Sequence, residues 1–108
     1  MLKGPYQSDE LDCEIEAGHP GVFVISADGQ TVALVGRSDK DLRGHLKRLF
    51  KRNRHYRYFW FEYASSPQNA FYKECRYYHK YPPKGKNAHP APPRGLKLRC
   101  PVRTCRAE

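Results

Sequence analysis

Between Gly21 and Leu49 the chain reads GVFVISADGQTVALVGRSDKDLRGHLKRL, and no other stretch limits the fold as tightly. Two runs, Val22-Phe23-Val24-Ile25 and Thr31-Val32-Ala33-Leu34-Val35, have the β-branched and apolar composition of strands. Between them lies Ala27-Asp28-Gly29-Gln30, where Asp-Gly supplies the positive φ that a short hairpin turn needs. Gly36-Arg37-Ser38 then leads into a helix that Ser38 or Asp39 can cap. Its apolar residues Leu42, Leu46, Leu49 and Phe50 fall at i, i+4, i+7 and i+8, one helical face. The opposite face carries Lys40, Arg43, Lys47, Arg48 and Lys51. A hairpin therefore feeds a helix that is apolar on one side and strongly positive on the other.

Downstream, Arg52-Asn53-Arg54-His55-Tyr56-Arg57 is a basic loop, and Tyr58-Phe59-Trp60-Phe61-Glu62-Tyr63 reads as a third, very aromatic strand. Alternation sets Phe59, Phe61 and Tyr63 on one face of it and Tyr58, Trp60 and Glu62 on the other. Ser65-Ser66-Pro67 is a helix start, a serine cap with proline in the first turn, and Pro82-Pro83 ends that helix near Tyr81. Ala70, Phe71, Cys75 and Tyr78 form its apolar stripe, with Glu74 about 100° round at the stripe's edge. Residues 1–20 form an acidic N-terminal arm, read as a solvated lead-in with a short ordered piece around Leu11 to Ile15. Residues 82–108 hold six of the nine prolines and make a Pro/Lys/Arg-rich tail, leaving residues 21–81 as the core domain. The predicted fold class is α+β: a three-stranded antiparallel sheet flanked by helices, with a proline-rich tail.

Charge narrows the partners. Residues 1–36 set one lysine against six acids, a net −5, whereas residues 37–108 set 19 basic residues against five acids, a net +14. Positive charge interleaved with aromatic rings is suited to phosphate contact and base stacking, so nucleic acid, DNA or RNA, is the expected partner. The expected surface comprises Arg37, Lys40, Arg43, Lys47, Arg48, Lys51, Arg52, Arg54 and Arg57. With no apolar run of 18 residues and no secretory leader, the expectation is a soluble, cytoplasmic protein without a membrane partner.

The strand–turn–strand–helix order resembles the signature region of the GIY-YIG nuclease superfamily. Its Gly-Ile-Tyr is matched by Gly21-Val22-Phe23, its Tyr-Ile-Gly by Leu34-Val35-Gly36, and the basic helix start by Arg37-Ser38. The run from Ser65 to Glu74 resembles the family's second helix, so the likeness spans roughly residues 20 to 88. The resemblance implies phosphodiester hydrolysis with one divalent metal, Mg2+ or Mn2+, held by Glu74. Arg37 matches the basic residue after the signature glycine, and Asn87 lies near a polar asparagine position. Phe23 and Leu34 stand where the family has tyrosines. His45 stands where it has the helix arginine, with Arg43 about 200° away on the helix. A histidine has a pKa suited to general-base work, so the candidate catalytic set is Glu74, His45 and Arg37. The two readings are a nucleic-acid-acting protein that binds and in its divergent form cuts, and an inactive scaffold or protein-interaction module on the same fold.

A second constellation suggests zinc. Cys75 and His79 stand at i and i+4 on one helix, and Cys100 and Cys105 have four residues between them. Cys75, His79, Cys100 and Cys105 would close a tetrahedral structural site and pin the tail to the second helix, with His89 as an alternative ligand.

Overall fold

The computed structural model describes residues 1–84, 89–103 and 105. Four antiparallel strands form one sheet: β1 (Lys3–Gln7), β2 (Gly21–Ser26), β3 (Val32–Ser38) and β4 (Tyr58–Tyr63), in the order β1-β4-β2-β3. Among the described residues three helices complete it: α1 (Leu11–Glu14), which continues a tight turn at Ser8–Glu10, α2 (Leu42–Arg52) and α3 (Pro67–Lys80). Among the described residues no helix is long and apolar enough to cross a membrane.

The alternation of β2 decides where the helices go. All six of its residues are buried, so both faces must be covered. Phe23 and Ile25 face α2 and join Leu42, Leu46, Phe59 and Phe61 in the main apolar cluster, together with Leu11 and Ile15. Val22 and Val24 are buried on the other face, where α3 packs on β2 and β3 with Ala70, Phe71 and Cys75 buried. The expected alternation of β4 holds. Phe59, Phe61 and Tyr63 belong to the α2-side cluster, while Glu62 accepts hydrogen bonds from Lys73 and Tyr77 of α3.

The local signals act where the residues place them. Gly29 has φ +84, and the Asp28 carboxylate accepts from the Gln30 and Thr31 N–H groups at 2.8 and 2.7 Å. Those backbone bonds hold the Asp28 pKa far below the usual carboxylate range. At the start of α3, the Ser66 hydroxyl accepts from the Asn69 N–H at 3.0 Å, with Pro67 opening the helix.

Three expectations are corrected. The sheet has four strands rather than three, because Lys3–Gln7 pairs antiparallel with β4, and Leu11 and Ile15 are buried rather than part of a solvated lead-in. Gly4 permits this pairing: at φ +137, it passes so close to β4 that a Cβ would stand 2.9 Å from the Trp60 ring. In addition, Gly36-Arg37-Ser38 does not turn into the helix but continues β3, paired with Phe23, Val22 and Gly21. The helix begins later, at Leu42, and Ser38 instead accepts from the Asp41 N–H at 3.0 Å in the connecting turn.

Gly36 lies directly beneath Phe23. A Cβ there would stand 2.5 Å from the Phe23 ring, which is buried between β2 and α2 and has no room to retreat. Gly36→Ala is expected to destabilise the fold by about 1–3 kcal/mol through overpacking, read as a lower urea midpoint at unchanged slope.

Candidate metal centre and basic surface

His79 lies in the last turn of α3, and the tail folds back so that His89, Cys100 and Cys105 meet it. One donor atom from each of the four lies within 4.8 Å of all the others. The two histidine Nε2 atoms are 3.3 Å apart, and Cys105 Sγ is 3.2 Å from His89 Nε2. Tetrahedral zinc with ordinary Zn–N bonds places two nitrogens about 3.3 Å apart, so the spacing suits a single ion. His89 Nδ1 lies 2.9 Å from the Pro90 carbonyl oxygen. That oxygen can only accept, so Nδ1 carries the proton and the Nε2 lone pair faces the cluster. Burial, and then the neighbouring His89, push the His79 pKa down, which favours the neutral, ligating form. Two thiols and two imidazoles, with no carboxylate, are a donor set that could hold a metal such as zinc.

The ligand set differs from the expected one: His89 takes the place of Cys75. The i, i+4 spacing puts Cys75 and His79 on the same side of α3, but Cys75 is fully buried beside the sheet while His79 reaches the tail. Burial pushes the Cys75 thiol pKa strongly upward, with the adjacent Cys100 thiol adding to it. Thus Cys75 packs as a small apolar residue next to the centre.

On the same face of the sheet, Arg37 of β3 reaches Glu74 of α3. Its Nη1 lies 2.6 Å from Glu74 Oε1 and its Nε 2.8 Å from Asp39 Oδ1, while the guanidinium sits 5.4 Å from the centre of the Phe71 ring. Glu74 is 8 % exposed, and its burial pushes its pKa up even though Arg37 pulls the other way. Of the three candidate catalytic residues, Glu74 and Arg37 therefore meet, as a buried ion pair. The Glu74 carboxylate is engaged by a guanidinium, and among the described residues it joins no converging group of His, Cys, Asp or Glu ligands. His45 stands on α2 with its ring 5.3 Å from Phe23, and burial followed by the charge of Arg48 pushes its pKa down. It makes no hydrogen bond or ion pair to Arg37 or Glu74 among the described residues. Phe23 is core, Leu34 packs against that core, and Asn87 lies outside the described residues.

The remaining cations divide into two groups. Arg43 and Lys47 both pair with Asp12 Oδ1, at 3.0 and 2.9 Å, and these two cations lower the Asp12 pKa, Lys47 the more. Lys40, Arg48, Lys51, Arg52, Arg54 and Arg57 are exposed. Among the described residues no carboxylate lies within ion-pair distance of Lys40, Lys51, Arg52, Arg54 or Arg57. Asp39, expected as a helix cap, instead pairs with Arg37, and the pairing of Asp12 with α2 was not expected. The i, i+2 spacing of Arg37 and Asp39 at a strand end was the available signal for the former, whereas nothing local connects Asp12 to α2.

The two halves of the buried pair should respond unequally to substitution. Arg37→Met leaves Glu74 buried without its cation and is expected to cost on the order of 3 kcal/mol at neutral pH. Glu74→Gln removes a charge that burial already disfavours and is expected to cost clearly less. Because the folded-state Glu74 pKa is raised, its ionisation opposes folding, so stability declines as pH climbs from the ordinary carboxylate value through the raised one. This decline should steepen in Arg37→Met and vanish in Glu74→Gln, as measured by denaturant melts across acidic to neutral pH.

No protein-family model, curated protein sequence or solved structure matches this chain.

Proposed function

We propose that the protein binds nucleic acid through the side of the molecule that carries α2 and the loop after it, on a scaffold resembling the GIY-YIG fold. The observation that supports this most is the set of exposed cations Lys40, Lys51, Arg52, Arg54 and Arg57, which no described carboxylate neutralises. Like charges gathered this way repel one another in the isolated chain, and a polyanion relieves that repulsion while releasing its counterions. Binding fits the site better than cutting does. Arg37 occupies the Glu74 carboxylate, and the positions of the two signature tyrosines carry Phe23 and Leu34. Cleavage of labelled DNA or RNA with Mg2+ or Mn2+ that disappears in Glu74→Ala would overturn this preference and restore the hydrolase reading.

Fluorescence anisotropy against labelled single-stranded and duplex probes tests the surface. Affinity is expected to fall steeply with salt, and Lys51→Ala combined with Arg52→Ala should flatten the log–log salt slope by about two units. Asp12→Asn is expected to act in the opposite direction, strengthening binding by releasing Arg43 and Lys47. Indifference to every nucleic acid at low salt would favour a protein-interaction module instead.

Zinc in the His79, His89, Cys100 and Cys105 centre completes the proposal. The ion would be structural, its four protein ligands leaving no open position, and it would hold the proline-rich tail to the end of α3. Elemental analysis is expected to find about one zinc per chain. That zinc should be lost in Cys105→Ser and His89→Ala but kept in Cys75→Ala, and chelation should lower the melting temperature and expose the tail to protease.

A further inference from the structure

A groove of about 420 Å³ opens on the α3 side of the sheet, near the β2–β3 hairpin, with Trp60, Tyr77, Tyr81, Val24, Val32 and Lys80 in its walls. Its size lies in the range of small-molecule sites. The aromatic walls are held in place. Tyr77 donates its hydroxyl to Glu62, and its ring lies nearly parallel to that of Tyr81, 16° between planes and 6.2 Å between centres. Trp60 is fixed between its cross-strand partner Val24 and the close-passing Gly4. Tyr81 is 37 % exposed, so an apolar, π-rich surface faces solvent and has already lost most of its conformational freedom.

The rim supplies charge of one sign. Lys80 Nζ lies 5.4 Å from the Tyr81 ring centre. The Lys84 N–H donates to the Val32 carbonyl at 2.9 Å, which stations a second exposed lysine beside the same wall. Among the described residues no aspartate or glutamate lines the groove, and Glu62 is already paired with Lys73. Arg57 belongs to the same end of the sheet, its N–H donating to the Ser26 carbonyl at 3.1 Å.

Fixed aromatic rings that accept a flat π-face, next to cations on flexible stems, are the means by which single strands are held without regard to sequence. We propose that this groove receives one unstacked nucleotide of a single-stranded nucleic acid. Its base lies against Trp60, Tyr77 and Tyr81, and its flanking phosphates run past Lys80 and Lys84. The proposal rests on the reading of the protein as a nucleic-acid binder and adds the form of strand it takes. A duplex, whose bases are stacked inside, cannot fill the groove, and two exposed lysines follow a backbone better than they enclose a free phosphate.

Trp60 is the sole tryptophan, so intrinsic fluorescence reports directly on the groove. The full chain is titrated with a short oligothymidylate, with a duplex of equal length and with thymidine monophosphate, and anisotropy of the labelled oligonucleotides is followed in parallel. Saturable quenching by the single strand is expected, with little by the duplex or the monophosphate. Tyr81→Ala should weaken single-strand binding by about tenfold or more, while Tyr81→Phe retains it. Tyr81 stands just beyond α3 at the surface, so neither change threatens the fold. Binding seen by anisotropy without quenching, and unaffected by Tyr81→Ala, would overturn the groove while leaving the α2 surface intact. Equal quenching by the monophosphate would overturn the strand assignment in favour of a free-nucleotide site. Absence of both binding and quenching would remove the nucleic-acid reading altogether.

Discussion

Burial of β2 on both faces is the constraint from which the rest of the molecule follows. A strand with no solvent side needs a covering layer above and below. In a chain of 108 residues only two helices long enough to provide those layers exist among the described residues, α2 and α3. Phe23 and Ile25 take α2, Val22 and Val24 take α3, and β3 and β4 inherit the same division through their register with β2. The remaining edge of β4 is closed by β1. Residues 3–15 are therefore part of the fold, and α1 brings Leu11 and Ile15 into the same apolar cluster as α2.

This layering also separates two kinds of chemistry. The α2 side is apolar within and cationic without, and Asp12, which comes from α1, spans two of those cations at once. The α3 side holds the buried ion pair. Arg37, projecting from β3, meets Glu74 in a site where the carboxylate would be costly without its cation, while the guanidinium keeps Asp39 as a second partner. Further along α3 the helix presents its other surfaces to the tail and to solvent: His79 to the metal-ligand cluster, Tyr77 with Tyr81 beyond it to the aromatic groove. One helix thus supplies a core stripe, an ion pair, a candidate metal ligand and a ring wall, each at its own angle around the axis.

The tail illustrates what irregular chain requires. Rich in proline and lacking helix or strand among its described residues, it has few backbone bonds of its own and a single buried residue, Pro93. Side chains are left to hold it in place. Two cysteines and a histidine converging on His79 offer that attachment, and Cys75, which packs beneath Cys100, gives the attachment an apolar floor. The fold's order, from hairpin to helix to strand to helix, does not depend on this segment.

The sequence determined whatever depends on near neighbours. Asp28-Gly29 specified its turn, Ser66-Pro67 its helix start, and the period-two pattern of Tyr58–Tyr63 its two faces, because hydrogen bonds and strand alternation span only a few residues. The cationic face of α2 and the candidacy of Cys100 and Cys105 were legible for the same reason. What the tertiary structure decided is pairing between distant segments. Lys3–Gln7 does not look like a strand, with Gly4-Pro5 in its middle, and becomes one only because β4 has an open edge and Gly4 can pass close to Trp60. Arg37 was read beside a helix start; the length of β2 keeps it in a strand and turns it toward Glu74. His89 displaced Cys75 from the candidate ligand set because Cys75 is fully buried against the sheet while His79 reaches the tail, and that depth is fixed by packing. Local rules act through bonds a few residues long, whereas register, burial and convergence belong to the whole chain at once.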